Sequence, residues 1–377
     1  MIHRSAVAAE AFTFASLPAG LDTPRVVVDL ARVEANIGRL QAEMDARDIA
    51  LWPHAKTHKS IGIARMQLAA GARGLTVGTL GEAEVFLGAG INDIFLAYPI
   101  WADGPKAARI RALHEAASGF RVGIDSVAGA ERLAAAVRGS GGGRPLRVLV
   151  EIDPGLHRTG VGTPDRAVEI ARASRQAGLA VEGVFSHGGH GYRLGGADPA
   201  GADEIRSLTA AADALEAAGF DVATISAGST PTMLTAAGGR VTEMRAGTYV
   251  LGDRQQCVLG AIPPEGCAAA VAATVVSVFD DRIVVDAGAK ALTKDRAEWL
   301  TGFGAVVGHP DLVIDRMSDY HGVALAPPGA RRPALGEVVT IIPNHICPVI
   351  DLVDMFVAVA ADGTVEGWPV DARGRSG

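Results

Sequence analysis

Between Arg25 and Gly252 the chain repeats one pattern: a short apolar or β-branched run, then a longer amphipathic segment. The runs are Arg25–Leu30, Ala50–Lys56, Gly74–Thr79, Asp93–Ile100, Phe120–Ser126, Leu146–Ile152, Val181–His187 and Val222–Ala227, eight in all. Segments between them, such as Val33–Asp48, Ile61–Ala72, Pro105–Ser118 and Ala202–Gly219, carry apolar residues at three- and four-residue spacing, which is the stripe of a helix lying on a sheet. Gly74, Gly90, Gly178 and Gly219 stand where such helices should end. Eight βα units predict an α/β fold built on an eight-stranded TIM-type (β/α)8 barrel, residues 25–252, rather than an open sheet.

Beyond Gly252 the rhythm changes. Ala268–Phe279, Arg282–Asp286, Val338–Ile342 and Met355–Ala360 are Val-rich runs separated by Gly, Pro and Asp, with no helix of comparable length between them. They predict a second, antiparallel β-domain over residues 253–377. Residues 1–24, too few to fold alone, are assigned to it as well. A chain of 377 residues with 49% hydrophobic and 20% charged content can bury a core of this size.

The formal net charge of −7 and the lack of a Lys/Arg run exclude the electrostatic footprint of a nucleic-acid binder. No apolar stretch reaches the roughly 18 to 20 residues of a membrane span. Because the first twenty residues lack a basic region followed by an apolar one, a cytoplasmic protein is expected. Cys257, Cys267 and Cys347 are odd in number and lack zinc-knuckle spacing, so no disulfide framework is expected. Cys257 and Cys267 read as core thiols.

In a TIM-type barrel the working residues follow the strands at one face. Lys56 ends the second run, Asp153–Gly160 follow the sixth, His187–Tyr192 the seventh and Ser226–Thr232 the eighth. A lysine among apolar walls has a lowered pKa suited to imine formation, although Lys59 competes for the role and either could be a solvated surface lysine. The turn Ser226-Ala227-Gly228-Ser229-Thr230 offers hydroxyls and free N–H groups to a phosphate monoester, or is an ordinary capped strand-to-helix turn. Arg158, in a Gly-flanked loop, could pair a phenolate or carboxylate, or Asp153. His187, His190 and Tyr192 could supply acid and base groups or line a mobile loop. His345 and Cys347, at i and i+2, share one face of an extended segment. An imidazole and a thiolate suit zinc or a similar metal with open positions, or are simply structural.

Thr23-Pro24, Val27-Val28-Asp29-Leu30, Asn36 and Pro53-His54-Ala55-Lys56-Thr57-His58-Lys59 together closely resemble the D-threonine aldolase and D-serine dehydratase family, relatives of alanine racemase. The likeness continues in order through Asp153–Gly160, Ser226–Thr232, Arg245–Tyr249, Asp286–Gly288, Ser318–Gly322 and Pro343–Cys347. It implies a fold-type III pyridoxal 5'-phosphate enzyme, a homodimer, with a small D-amino acid as substrate. By resemblance, Lys56 carries the cofactor, the Ser226 to Thr230 turn (Ser226, Gly228, Ser229, Thr230) its phosphate and Arg158 its phenolate oxygen. Tyr192 and Tyr249 lie near it. His345 and Cys347 bind a divalent metal, zinc favoured by the sulfur with manganese or magnesium as alternatives, and His321 stands nearby as a catalytic group.

The activity implied is that of a lyase on D-3-hydroxy amino acids. D-threonine aldolase leads and D-serine dehydratase, which the cysteine favours, is the alternative. An amino-acid racemase would have no use for the metal motif. A non-catalytic cofactor carrier would have the barrel alone.

Overall fold

The computed structural model describes residues 12–377, which form two compact units. One consists of Leu40–Lys56, Ala64–Gly247 and Gly374–Gly377; the other holds Thr57–Ile63, Thr248–Arg373 and the described part of Met1–Arg39. Seventeen strands are described: β1 (Arg25–Asp29), β2 (Ala50–Leu51), β3 (Leu75–Val77), β4 (Ile94–Pro99), β5 (Arg121–Ile124), β6 (Arg147–Ile152), β7 (Ala180–Ser186), β8 (Thr224–Ala227) and β9 (Glu243–Met244), then β10 (Ala269–Val278), β11 (Arg282–Val285), β12 (Ala305–Val306), β13 (Val313–Met317), β14 (Gly322–Leu325), β15 (Val338–Ile342), β16 (Met355–Val359) and β17 (Val365–Pro369).

In the first unit β2 to β9 form an eight-stranded parallel sheet in the order β2-β9-β8-β7-β6-β5-β4-β3, and a parallel bridge between His54 and Thr76 joins its ends. Helices alternate with the strands, and the β-to-α turns supply their caps: Thr79 accepts from Glu82 N–H and Ser126 from Gly129 N–H. Gly90, Gly178 and Gly219 take positive φ where the sequence ends helices, whereas Gly74 does not. Gly74 is fixed by crowding instead, since a Cβ there would lie 2.4 Å from the Trp52 ring. Trp52, Phe95, Leu149 and Phe185 fill the barrel interior.

One charged pair is buried in this core. Arg121 stacks 3.8 Å from the Trp52 centroid and reaches Glu243 Oε1 at 2.8 Å, with both side chains at most 9% exposed. Removing one member leaves the other charge without compensation. Arg121→Ala is therefore expected to cost about 3–5 kcal/mol, read as a lower urea midpoint at unchanged m-value.

Two expectations about the barrel need correction. Arg25–Leu30 is not its first strand: β1 pairs antiparallel with β10 and parallel with β16 in the other unit. A run such as Val26-Val27-Val28, buried on both faces, reads alike in either sheet. The missing barrel strand is β9, two residues long and beginning with a charge, which carries no periodic signal. The barrel unit accordingly begins at Leu40 rather than Arg25 and ends at Gly247 apart from the last four residues of the chain.

In the second unit β10, β11, β14, β13, β12 and β15 close into an antiparallel ring, because β10 pairs with both β11 and β15. Strands β1, β16 and β17 extend the sheet from β10. The four expected runs appear as β10, β11, β15 and β16. Of the N-terminal segment, Thr13 accepts from Arg32 through its carbonyl and Thr23 donates to Asp286 at 2.6 Å. Residues 1–11 lie outside the described residues. Among the described residues no helix is long and apolar enough to cross a membrane.

Candidate active site

The functional residues form two groups, one on each unit. In the barrel unit Lys56 occupies the 3-10 turn Ala55–Thr57 just after β2, with its side chain exposed. Lys59 is a different case: it is buried, and its Nζ lies 2.8 Å from Asp351 Oδ1. That leaves Lys56 as the lysine at the strand end with an accessible amine.

His187 follows β7. Burial, and after it the charges of Lys56, Arg158 and Arg245, push its pKa well below the usual imidazole value, so the ring is neutral at pH 7. Tyr192 lies beside it, ring centroids 6.3 Å apart. Arg158 is exposed in the loop after β6. The ion pair open to it with Asp153 is taken by His157, whose Nδ1 is 2.9 Å from Asp153 Oδ2. Three cations thus act on one neutral imidazole, a setting that fits an anionic group such as a phosphate ester or phenolate.

Sequence reasoning assigned no role to Arg245, Glu151 or Glu204. Arg245, directly after β9, is buried, donates through Nε to Ser226 Oγ at 2.9 Å and through its guanidinium to the Ser186 carbonyl. Burial lowers its pKa to about 10. It followed a strand too short to be seen. Glu151 on β6 accepts from Thr159 Oγ1 at 2.9 Å, and its Oε2 is buried without a partner. Glu204, inside the helix Ala197–Ala217, falls on the stripe of Ala200, Leu208, Ala211 and Leu215. A charge on an apolar stripe was the available signal.

The turn after β8 corrects another expectation. No helix begins there, and the Gly228 and Ser229 N–H groups are engaged, the first by Glu204 Oε1 at 2.9 Å and the second by Thr232 Oγ1 at 3.0 Å. What the turn can present to a ligand is the hydroxyl hydrogen of Ser229, which can turn away from Thr232. Gly228 is indispensable, since it holds φ of 97° and a Cβ would strike Met244 Sδ.

Burial raises the Glu151 carboxyl from 4.5 to about 7. The unfolded chain releases this proton near pH 4.5 and the folded one near pH 7, so the native state loses stability as pH rises through that window. Glu151→Gln is expected to remove that loss, up to about 3 kcal/mol. Urea midpoints of the cofactor-free protein at pH 5 and pH 8 should converge in the variant and diverge in the wild type.

In the β-unit His345 caps the short helix Ile346–Asp351 and Cys347 lies in its first turn. The segment is extended only at His345, yet the two side chains hydrogen-bond each other. Asp295 Oδ2 holds His345 Nδ1 at 2.6 Å and so orients the ring. The Cys347 thiol donates to Thr57 Oγ1 at 3.3 Å and shares a hydrogen bond with Thr248 Oγ1 at 3.7 Å. Asp253 accepts from Gln256 N–H and Ile346 N–H, and burial raises its carboxyl to about 6. Burial disfavours the imidazolium of His345, but Cys347 and Asp295 outweigh it and push the pKa up to about 11. Among the described residues no three or more His, Cys, Asp or Glu are so arranged that they could hold a metal ion together. A nitrogen and a sulfur backed by a carboxylate fit a borderline divalent metal with open positions.

Two expected companions, His321 and Tyr249, also lie on the β-unit. His321 is exposed at the turn before β14, and among the described residues its ring bonds neither His345 nor Cys347. Tyr249 is buried in the 3-10 turn Thr248–Val250 of the β-unit. Cys257 and Cys267 are buried with their sulfurs 3.4 Å apart, as core thiols.

Residues 28–255 match the family model described as alanine racemase, N-terminal domain, and residues 268–359 the putative serine dehydratase domain. Barrel, lysine and β-domain together define the class, a fold-type III pyridoxal-phosphate lyase. The chain is 37% identical over 372 residues to D-threo-3-hydroxyaspartate dehydratase of Delftia sp. (strain HT23), covering 92% of this chain and 97% of the relative. It is 36% identical over 375 residues to D-threonine aldolase of Arthrobacter sp., covering 95% and 94%. The solved Delftia dehydratase superposes with a TM-score of 0.85 at 35% identity, over 93% of this chain and 97% of that one. Another solved structure, 35% identical with a TM-score of 0.84, is a Cys-to-Ala mutant of a D-threo-3-hydroxyaspartate dehydratase in the metal-free form. The chain belongs to the D-threonine aldolase and D-serine dehydratase family.

Proposed function

We propose that this lyase acts on D-3-hydroxy amino acids with pyridoxal phosphate and a divalent metal, and that within the class it is a D-threonine aldolase yielding glycine and acetaldehyde. The observation carrying the reading is the His345–Cys347 pair, an imidazole oriented by Asp295 beside a sulfur flanked by two hydroxyls. When bound, the cofactor supplies an electron sink for the bond broken at Cα and the metal a Lewis acid for the β-hydroxyl.

Lys56 Nζ would attach the cofactor and exchange a proton at Cα. Ser226, Gly228, Ser229 and Thr230 would frame its phosphate, Arg158 would pair its phenolate oxygen, and Tyr192 and Tyr249 would adjoin it. His187, neutral at pH 7, is able to accept a proton at the barrel mouth. His345 Nε2 and Cys347 Sγ would hold the metal, zinc suiting the sulfur best. His321 remains the further acid–base candidate of the β-unit. Retro-aldol cleavage asks least of this set, one proton taken from the hydroxyl and nothing expelled as hydroxide.

Cys347 favours a second reading, a dehydratase, because a similar protein with a Cys-to-Ala mutant solved in a metal-free form is a dehydratase. Incubation with D-threonine, D-serine and D-threo-3-hydroxyaspartate separates them. Glycine plus an aldehyde means aldolase; ammonia plus a 2-oxo acid means dehydratase. No consumption with cofactor and zinc supplied overturns both. Activity that survives a chelator and interconverts enantiomers would mean a racemase. The resemblance also implies a homodimer, tested by light scattering of the holoenzyme.

A further inference from the structure

We infer that Glu204 is a positioning residue for the cofactor phosphate, the buried carboxylate that shapes the turn from Gly228 to Thr232 into a phosphate receptor. The inference rests on reading that turn as the phosphate site. Glu204 is wholly buried and accepts three hydrogen bonds from separate stretches of chain: Ser186 Oγ at the end of β7 at 2.9 Å, Gly228 N–H at 2.9 Å and Thr232 Oγ1 at 2.7 Å. Thr232 passes the contact on, accepting Ser229 N–H and hydrogen-bonding Ser229 Oγ, both at 3.0 Å.

No helix or ladder continues beyond β8 to dictate the shape of this turn, so its amides must be fixed by side chains. A carboxylate only accepts, and that sets the polarity of the relay. The hydroxyl hydrogens of Ser186 and Thr232 are committed to Glu204. The hydrogen of Ser229 stands at the open end and can turn from Thr232 to a phosphate oxygen. The loop after β7 closes on the same group: a Cβ on Gly188 would lie 2.3 Å from Glu204 Oε2, and one on Gly191 3.0 Å from the Thr232 methyl. Glutamine keeps the volume but brings an NH2 donor against groups that already donate.

The test uses the full-length protein stripped of cofactor and titrated with pyridoxal phosphate and with pyridoxal, which lacks the phosphate, following the absorbance of the lysine adduct. Wild type should bind the phosphorylated form far more tightly. Glu204→Gln should weaken pyridoxal phosphate by about 10- to 100-fold and leave pyridoxal unchanged. Thr232→Val, which keeps the other two bonds to Glu204, should shift the same ratio less, and it carries the test if the first variant does not fold. Equal weakening of both ligands, or unchanged pyridoxal phosphate binding in both variants, overturns the role of Glu204. A wild type indifferent to the phosphate would instead overturn the reading of the turn itself.

Discussion

Lys56→Ala is expected to lose the visible absorbance of lysine-bound cofactor and at least about 10³-fold of the turnover, whereas Lys59→Ala keeps the band. The argument is one of availability. Lys59 Nζ is buried against Asp351 at 2.8 Å, so its loss leaves a carboxylate behind and lowers stability without touching the cofactor. Lys56 is exposed at the end of a barrel strand, with its charge felt at His187. Spectra of the two variants beside wild type decide the point. A band that survives in Lys56→Ala and vanishes in Lys59→Ala would transfer the role.

The second large effect concerns the metal. Cys347→Ala and His345→Ala should each weaken zinc binding by more than the roughly 10- to 100-fold that loss of a supporting contact costs, while the cofactor band persists because Lys56 is untouched. Metal content after dialysis and calorimetric titration of the dialysed protein give the comparison. Lyase activity should fall in parallel and recover partly with excess metal. Full metal affinity in both variants would place the ion elsewhere. In the metal-free protein His345 holds a proton up to about pH 11, and an incoming metal must displace it.

Periodicity alone revealed the barrel and four strands of the β-unit, β10, β11, β15 and β16, because long amphipathic helices and Val-rich runs leave strong local signals. It could not tell a doubly buried strand of one sheet from that of another, which misplaced β1, nor see a two-residue strand, which hid β9 and with it Arg245. Lys56, Ser229, His345 and Cys347 were legible as short motifs. Their supports were not: Asp295 meets His345 from fifty residues away and Glu204 meets Gly228 from twenty-four. Such pairings come from tertiary structure, and the only local trace was a glutamate standing on an apolar stripe. The Asp153 alternative to a ligand for Arg158 fell for a similar reason, since loop geometry gave that carboxylate to His157.

The placement of β1 bears on how the molecule can be made. Residues 25–29 leave the ribosome before the barrel strands, yet their partners, residues 269–278 and 355–359, follow the barrel. Until β10 has emerged, Val26, Val27 and Val28 have no ladder to join, and a nascent chain must carry this sticky segment through the synthesis of the entire barrel. A stop codon before β16 would therefore also strip one edge of β1, more than three hundred residues upstream, of its partner.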